Sequence, residues 1–314
     1  MFRAPSPALR LTLCALGAAL SLPVWAVDWS QVPEKEVLLV YPGQSSWEVM
    51  LTPTDHEGAQ KFRGGKNCKD CHEGEQQKLG AKIVKGGKFE PSPPAGKPGH
   101  LALKVQTAHD ADKLYFRFRY KPGSSGGSMD PKVAARVAVM IGDSANKEAV
   151  RAGCWGTCHD DAAGMASAAG ANREKYLGAS RVKLSRTGGG DGLKPAADLD
   201  ALLAGGQALE LWSADLNPGQ PAVAHHSYVL AERHEISPAT LAAEASFANG
   251  EWTVVLSRPL KSGGKGQKDL AAGKTYAIGF AVHDDHALGR FHHVSYEQSL
   301  ALDGGSADFV AKKQ

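Results

Sequence analysis

Lys113-Leu114-Tyr115-Phe116-Arg117-Phe118-Arg119-Tyr120 decides the fold class of this 314-residue chain. Leu114, Phe116, Phe118 and Tyr120 take alternate positions, with Arg117 and Arg119 between them. Side chains of an extended segment point alternately to its two faces, so this is a strand with one apolar and one charged face. His100-Leu101-Ala102-Leu103-Lys104-Val105 alternates too, and Asp110-Ala111-Asp112 reads as the turn joining the two as a hairpin. The signal repeats at residues 134–141, Leu209-Glu210-Leu211-Trp212, Ser227-Tyr228-Val229-Leu230, 243–247, 252–256, 276–283 and 290–296. Asn249-Gly250 is a strong two-residue hairpin turn. Many short strands between Gly- and Pro-rich turns predict a mainly β fold, an antiparallel β-sandwich with few short helices. Residues 132–135, 162–171 and 199–203 are too short or too rich in small residues for more than a helical turn or two.

Ahead of the first hairpin, Glu90-Pro91-Ser92-Pro93-Pro94-Ala95-Gly96-Lys97-Pro98-Gly99 is a stiff linker. It is expected to divide an N-terminal segment, residues 27–99, from a β domain, residues 100–314. Residues 1–26 read as a secretory leader: Arg3 and Arg10, an apolar run over 11–22, and Val24-Trp25-Ala26 ending on a small residue. The run falls short of the ~20 residues that span a bilayer. The expected location is therefore periplasmic, in soluble form after cleavage, with an uncleaved anchor as the alternative.

Removing the leader takes away Cys14, so four of the five cysteines remain. The 36 Lys and Arg fall to 34 without Arg3 and Arg10, against 33 Asp and Glu. This near-neutral, mixed balance has no basic stripe and argues against nucleic acid as a partner. All four remaining cysteines lie in two groups, Cys68-Lys69-Asp70-Cys71-His72 and Cys154-Trp155-Gly156-Thr157-Cys158-His159. An exported chain that keeps its cysteines only in pairs ending in His uses them for a cofactor.

The first group is Cys-x-x-Cys-His, the attachment pattern of c-type haem: two thiols add to the porphyrin vinyl groups and the histidine becomes the proximal iron ligand. The second group has one extra residue between its cysteines, and Gly156 supplies backbone freedom for the bulge. Zinc is the rival reading, but the Cys-Cys-His order of both groups follows from thioether attachment. A disulfide, a single thioether or a non-covalent haem remain alternatives at the second. The expected cofactors are two haem c, with His72 and His159 as proximal ligands.

Distal candidates are richest in His283-Asp284-Asp285-His286 and Arg290-Phe291-His292-His293. His283, His286 and His293 are candidate distal iron ligands. On a strand His292 and His293 point to opposite sides, so only one of them meets a given haem. Ala277, Gly279 and Ala281 share a face with His283 and leave room for a flat ring. Asp284 and Asp285 either orient a ligand histidine, form a solvated turn, or join the histidines in a metal site. Arg290 either pairs with a haem propionate or is a surface residue. His56 and His100 are candidates for the first haem. Met140 reads as core or as approaching an iron, and Trp155 as packing on the porphyrin or filling a gap. His109, His225, His226 and His234 read as exposed.

These residues resemble a family. The stretch from Trp47 through His56, Gly58 and Phe62-Arg63 to Glu75, the Gly153 to Asp161 stretch, and the 280–286 and 289–295 motifs are similar to bacterial cytochrome c proteins related to ethylbenzene dehydrogenase. The resemblance implies a haem-binding β-sandwich similar to the γ subunit of ethylbenzene dehydrogenase and of related molybdenum enzymes of the dimethyl sulfoxide reductase family. Those subunits hold a b-type haem through Met and Lys. The cysteine pairs depart from that pattern, so neither the Met/Lys ligation nor membership of a molybdenum complex carries over.

The reading that uses all these features is a dihaem electron carrier. Its expected partner is a periplasmic or membrane-bound redox protein, with a molybdenum enzyme or a quinol-oxidising cytochrome as candidates, met through a transient contact. The alternative is a haem enzyme, a peroxidase or a small nitrogen- or sulfur-compound reductase, with one open iron position. A haem-bearing sensor ranks below both, since no fused output domain is evident.

Overall fold

In the computed structural model, residues 27–45, 47–123, 132–157, 177–184, 192–284 and 291–314 are described. The alternating segments form strands: β1 (Lys35–Val40), β2 (His100–His109), β3 (Lys113–Tyr120), β4 (Ala135–Gly142), β5 (Leu209–Leu216), β6 (Val223–Val229), β7 (Arg233–Glu235), β8 (Ala242–Ala248), β9 (Glu251–Pro259), β10 (Thr275–Asp284), β11 (His293–Val294), β12 (Gln298–Leu302) and β13 (Phe309–Lys313). Short helices lie between them: α1 (Trp47–Met50), α2 (Ala59–Arg63), α3 (Lys69–His72), α4 (Gln76–Ile83), α5 (Lys147–Ala152) and α6 (Ala196–Ala204). The fold is mainly β, as the periodicity predicts.

Turn chemistry acts where expected. Asn249 and Gly250 both have positive φ (53° and 74°), which a hairpin turn between right-twisted strands requires. Asp110 Oδ1 accepts from the Asp112 and Lys113 amides, both at 2.7 Å, and so closes the β2–β3 turn.

The strands run β7-β6-β5-β4-β10-β11-β1-β2-β3-β9-β8, with β12 and β13 bridging β10 to β2. The sheet folds over so that its two arms face each other. Phe116 on β3 meets Trp212 on β5 (centroids 5.8 Å) and Phe280 on β10 (6.2 Å), and these strands are not ladder neighbours. The inward faces of both arms thus share one core, the layering of a sandwich. Each fully buried aromatic or aliphatic side chain there contributes roughly 1.5–3 kcal/mol of transfer free energy.

Several expectations need correction. The sheet is not wholly antiparallel, because β13 pairs parallel with both β12 and β2. β1 lies on the N-terminal side of residue 99, yet it is hydrogen-bonded between β2 and β11. Residues 132–135 form no helix. Of the expected 290–296 strand, the described residues 291–296 give the two-residue β11; beyond it the Ser295 hydroxyl accepts from the Phe280 amide at 2.9 Å. The 90–99 stretch is packed rather than a free spacer: Tyr41 donates to Glu90 at 2.6 Å, and buried Lys97 donates to the Asp284 carbonyl at 2.7 Å. His226 and His109 are buried, each against a carboxylate: Glu210 at 2.7 Å and Asp303 at 2.8 Å.

Candidate haem sites

α3 carries the first motif. On a helix, Cys68, Cys71 and His72 stand at i, i+3 and i+4 and share one face, and the Cys71 and His72 amides both donate to the Cys68 carbonyl. Asn67 and Asp70 cap the turn reciprocally: the Asp70 amide donates to Asn67 Oδ1 (2.8 Å) and the Asn67 amide to Asp70 Oδ2 (3.1 Å). A four-residue helix does not persist alone. Tertiary bonds hold it, from the Cys68 amide to the Arg151 carbonyl (2.9 Å) and from the Lys69 amide to Glu297 Oε1 (3.0 Å). Burial pushes the Glu297 carboxyl up to about 7, against the lowering effect of the Lys69 amide.

Beside this helix lies an apolar pocket with an empty volume of about 710 Å³, including its open side. Val49, Met50, Phe62, Leu79, Ile83 and Phe89 line it, together with Cys68, Cys71, His56 and His72. The imidazoles of His56 and His72 lie with centroids 6.1 Å apart and planes at 38°. His56 Nδ1 lies 3.0 Å from the Met50 carbonyl and His72 Nδ1 3.2 Å from Glu75 Oε2. Both partners accept, so each Nδ1 is the donor, and Nε2 is the nitrogen left to ligate. Ligand histidines are oriented in this way, by a carbonyl or carboxylate on the second nitrogen. The spacing admits one metal atom between the rings at ~2 Å per metal–imidazole bond. A covalently held haem therefore fits: thiols on one helix face, an apolar wall, and two preset imidazoles.

Gly58 makes room for His56, since a Cβ there would sit 3.1 Å from its Cε1. Phe62 on α2 packs edge-on to Trp47 (5.1 Å) under the Arg151 guanidinium (4.2 Å). His100 lies elsewhere, in an open groove with Glu36, Lys104 and Arg119. None of His283, His292 and His293 lines this pocket.

The second motif is described only as far as Thr157; Cys158 and His159 lie outside the described residues, as do Asp285, His286 and Arg290. Cys154 is buried in a 3-10 turn, Gly153–Thr157, that presses on β10. A Cβ on Gly279 would stand 2.5 Å from the Cys154 amide nitrogen and 3.0 Å from its sulfur. Part of the small-residue face expected to admit a ring is thus filled by the motif itself. Next along that face come Ala281 and its ladder partner Ala138, and beyond them His283. Gly279→Ala is expected to overpack this contact at a cost of about 1–3 kcal/mol, read as a lower urea midpoint with unchanged slope.

His283 and His292 stack in parallel, with centroids 4.2 Å apart and planes at 17°. Burial, then the neighbouring His292, holds the His283 pKa well below its usual value, so the ring stays neutral and able to ligate. His283 Nδ1 is buried without a hydrogen-bond partner. His293 points the other way, as strand alternation predicts. Its Nε2 donates to the Pro98 carbonyl at 2.7 Å, and burial holds its pKa at about 3. That bond ties the ring to the 90–99 segment, and its Nδ1 is buried without a hydrogen-bond partner among the described residues.

Met140 is core: it is 1% exposed, and its sulfur lies 3.8 Å from the Thr157 hydroxyl. Trp155 belongs to the second motif but lines the first pocket. Sequence reasoning missed Tyr296 and Ser45, which line that pocket with it. Neither belongs to a motif, so only the fold brings them there.

Residues 26–295 match the family described as ethylbenzene dehydrogenase. Among similar proteins, cytochrome c-552 of Stutzerimonas stutzeri is 38% identical over 293 residues, which cover 91% of this chain and 91% of that protein. Cytochrome c-551 of Rhodocyclus tenuis is 27% identical over 293 residues, covering 92% of this chain and 100% of that protein. This chain belongs to the ethylbenzene dehydrogenase family.

Proposed function

We propose that this chain is an exported dihaem c-type cytochrome that carries electrons between redox partners. The observation that carries this reading is the neighbouring pair His56 and His72 above the Cys68/Cys71 helix face, each with its Nδ1 already engaged. The relatives named cytochrome c-552 and cytochrome c-551 support it. A bound haem supplies a one-electron iron couple.

The chain's own residues do the rest. Cys68 and Cys71 would anchor the first haem covalently, and His72 and His56 would both ligate its iron. A closed iron has no place for a substrate, which favours a carrier over an enzyme. The apolar lining excludes water and so tunes the potential. Exposed Cys71 marks the edge nearest solvent, where a partner would approach. At the second motif Cys154, Cys158 and His159 would hold the other haem, and His283 would be a further ligand. The leader over residues 1–26 directs export.

The test is the intact mass of the mature protein, with its ferric spectrum before and after cyanide. Two added haem masses and a low-spin spectrum indifferent to cyanide are expected. One haem mass removes the second site. A high-spin component that binds cyanide removes the simple carrier in favour of a haem enzyme.

A further inference from the structure

We propose that Trp155 and Tyr296 form the electron path between the two haem sites, as a stacked ring pair that conducts without being oxidised. The inference rests on the dihaem reading above. The two rings lie 5.5 Å apart at 22°. Tyr296 in turn faces His72, at 6.4 Å and 38°. Both rings line the first pocket, and Trp155 directly follows Cys154 in the chain. A run of neighbouring rings thus begins at the proximal imidazole of one motif and ends one residue from the first cysteine of the other.

The surroundings hold this pair in place. Trp155 and Tyr296 are 5% and 3% exposed. Trp155 Nε1 donates to Ser45 Oγ at 2.6 Å, and Ser45 Oγ donates to the Pro42 carbonyl at 2.5 Å. Gly153 has φ +57°, and a Cβ there would lie 2.5 Å from the Tyr296 carbonyl. Only glycine meets both demands, so the backbone of the second motif lies flush against Tyr296. The Cys68 amide bond to Arg151 ties the first motif to the helix leading into the second.

The chemistry selects a bridge rather than a radical station. Oxidising a phenol at moderate potential requires a base to take its proton. The Tyr296 hydroxyl is buried with no hydrogen-bond partner among the described residues. The Trp155 N–H is given to a neutral hydroxyl, not a carboxylate. Neither ring has a base among the described residues within hydrogen-bond reach to take its proton. One iron loses an electron, the other gains it, and both rings keep their electrons and protons.

The test follows redistribution of electrons between the haems of the loaded protein after sub-stoichiometric flash photoreduction by a ruthenium complex, with intact mass and midpoint potentials measured alongside. Trp155→Leu and Tyr296→Leu are expected to slow redistribution many-fold, beyond what any change in the measured potentials accounts for. Trp155→Phe and Tyr296→Phe keep a ring and are expected to retain most of the rate. An unchanged rate in Trp155→Leu with both haems present overturns the proposal, as does equal slowing in Tyr296→Phe and Tyr296→Leu. If Trp155→Leu loses a haem, the Tyr296 pair decides by the same criterion. A single haem mass in the unmodified protein overturns the dihaem reading instead.

Discussion

His56→Ala is expected to convert the first haem from a low-spin centre closed to cyanide into one with a high-spin ferric component that binds it. His56 stands outside the Cys-x-x-Cys-His motif, a dozen residues upstream of the first thiol. It reaches the pocket because α1 ends at Met50 and the chain turns back, with the His56 amide donating to the Thr52 carbonyl at 2.9 Å. The Met50 carbonyl then holds Nδ1, with the ring 6.1 Å from that of His72. Removing the imidazole leaves His72 as the remaining histidine among the described residues that line the pocket. His100→Ala is the control and is expected to leave the spectrum unchanged, since that ring lines a different groove. A low-spin, cyanide-silent His56→Ala spectrum would assign the distal position to another residue.

Glu210→Ala is expected to cost about 3–5 kcal/mol, because it leaves a buried guanidinium uncompensated. Glu210 and Arg258 are both fully buried at one end of the sandwich core. Glu210 accepts from Trp212 Nε1 (2.8 Å), His226 Nε2 (2.7 Å), the Lys268 amide (2.7 Å) and Arg258 Nη2 (3.1 Å). Arg258 also donates to the Lys268 and Pro259 carbonyls, both at 2.6 Å. Strands from the two arms, β5/β6 and β9, thus meet through one carboxylate. Against a usual total of about 5–15 kcal/mol, its loss brings the fold close to its limit. The expected fall in Tm is roughly 6–20 °C, measured by calorimetry on the haem-loaded protein. A half-exposed pair such as Arg119–Glu251 (2.8 Å) is expected to be worth no more than about 1 kcal/mol. A Glu210→Ala effect of that same small size would mean that the network is not what joins the arms.

Legibility in the sequence follows the range of each interaction. The β2–β3 hairpin and the Asn249-Gly250 turn are set within a few residues, so alternation and turn chemistry locate them. β1 and β13 were not evident from pattern, because their places depend on partners far along the chain, β2 and β11 for the first and β2 and β12 for the second. α2 and α3 are one-turn helices whose stability is tertiary, so periodicity cannot reveal them. His226 read as an exposed histidine because Glu210, its partner, lies on a neighbouring strand.

The sequence by itself determined that Cys68, Cys71 and His72 share one face, since their spacing is the helical repeat. It also determined a mainly β fold, since the apolar period is two. Only the tertiary structure decided that His56 rather than His100 lies beside His72, that His293 bonds to the Pro98 carbonyl while His292 stacks on His283, and that Trp155 of the second motif walls the first pocket. Spacing acts through the backbone over a few residues. Which ring faces which is fixed by packing between segments that the chain order keeps apart.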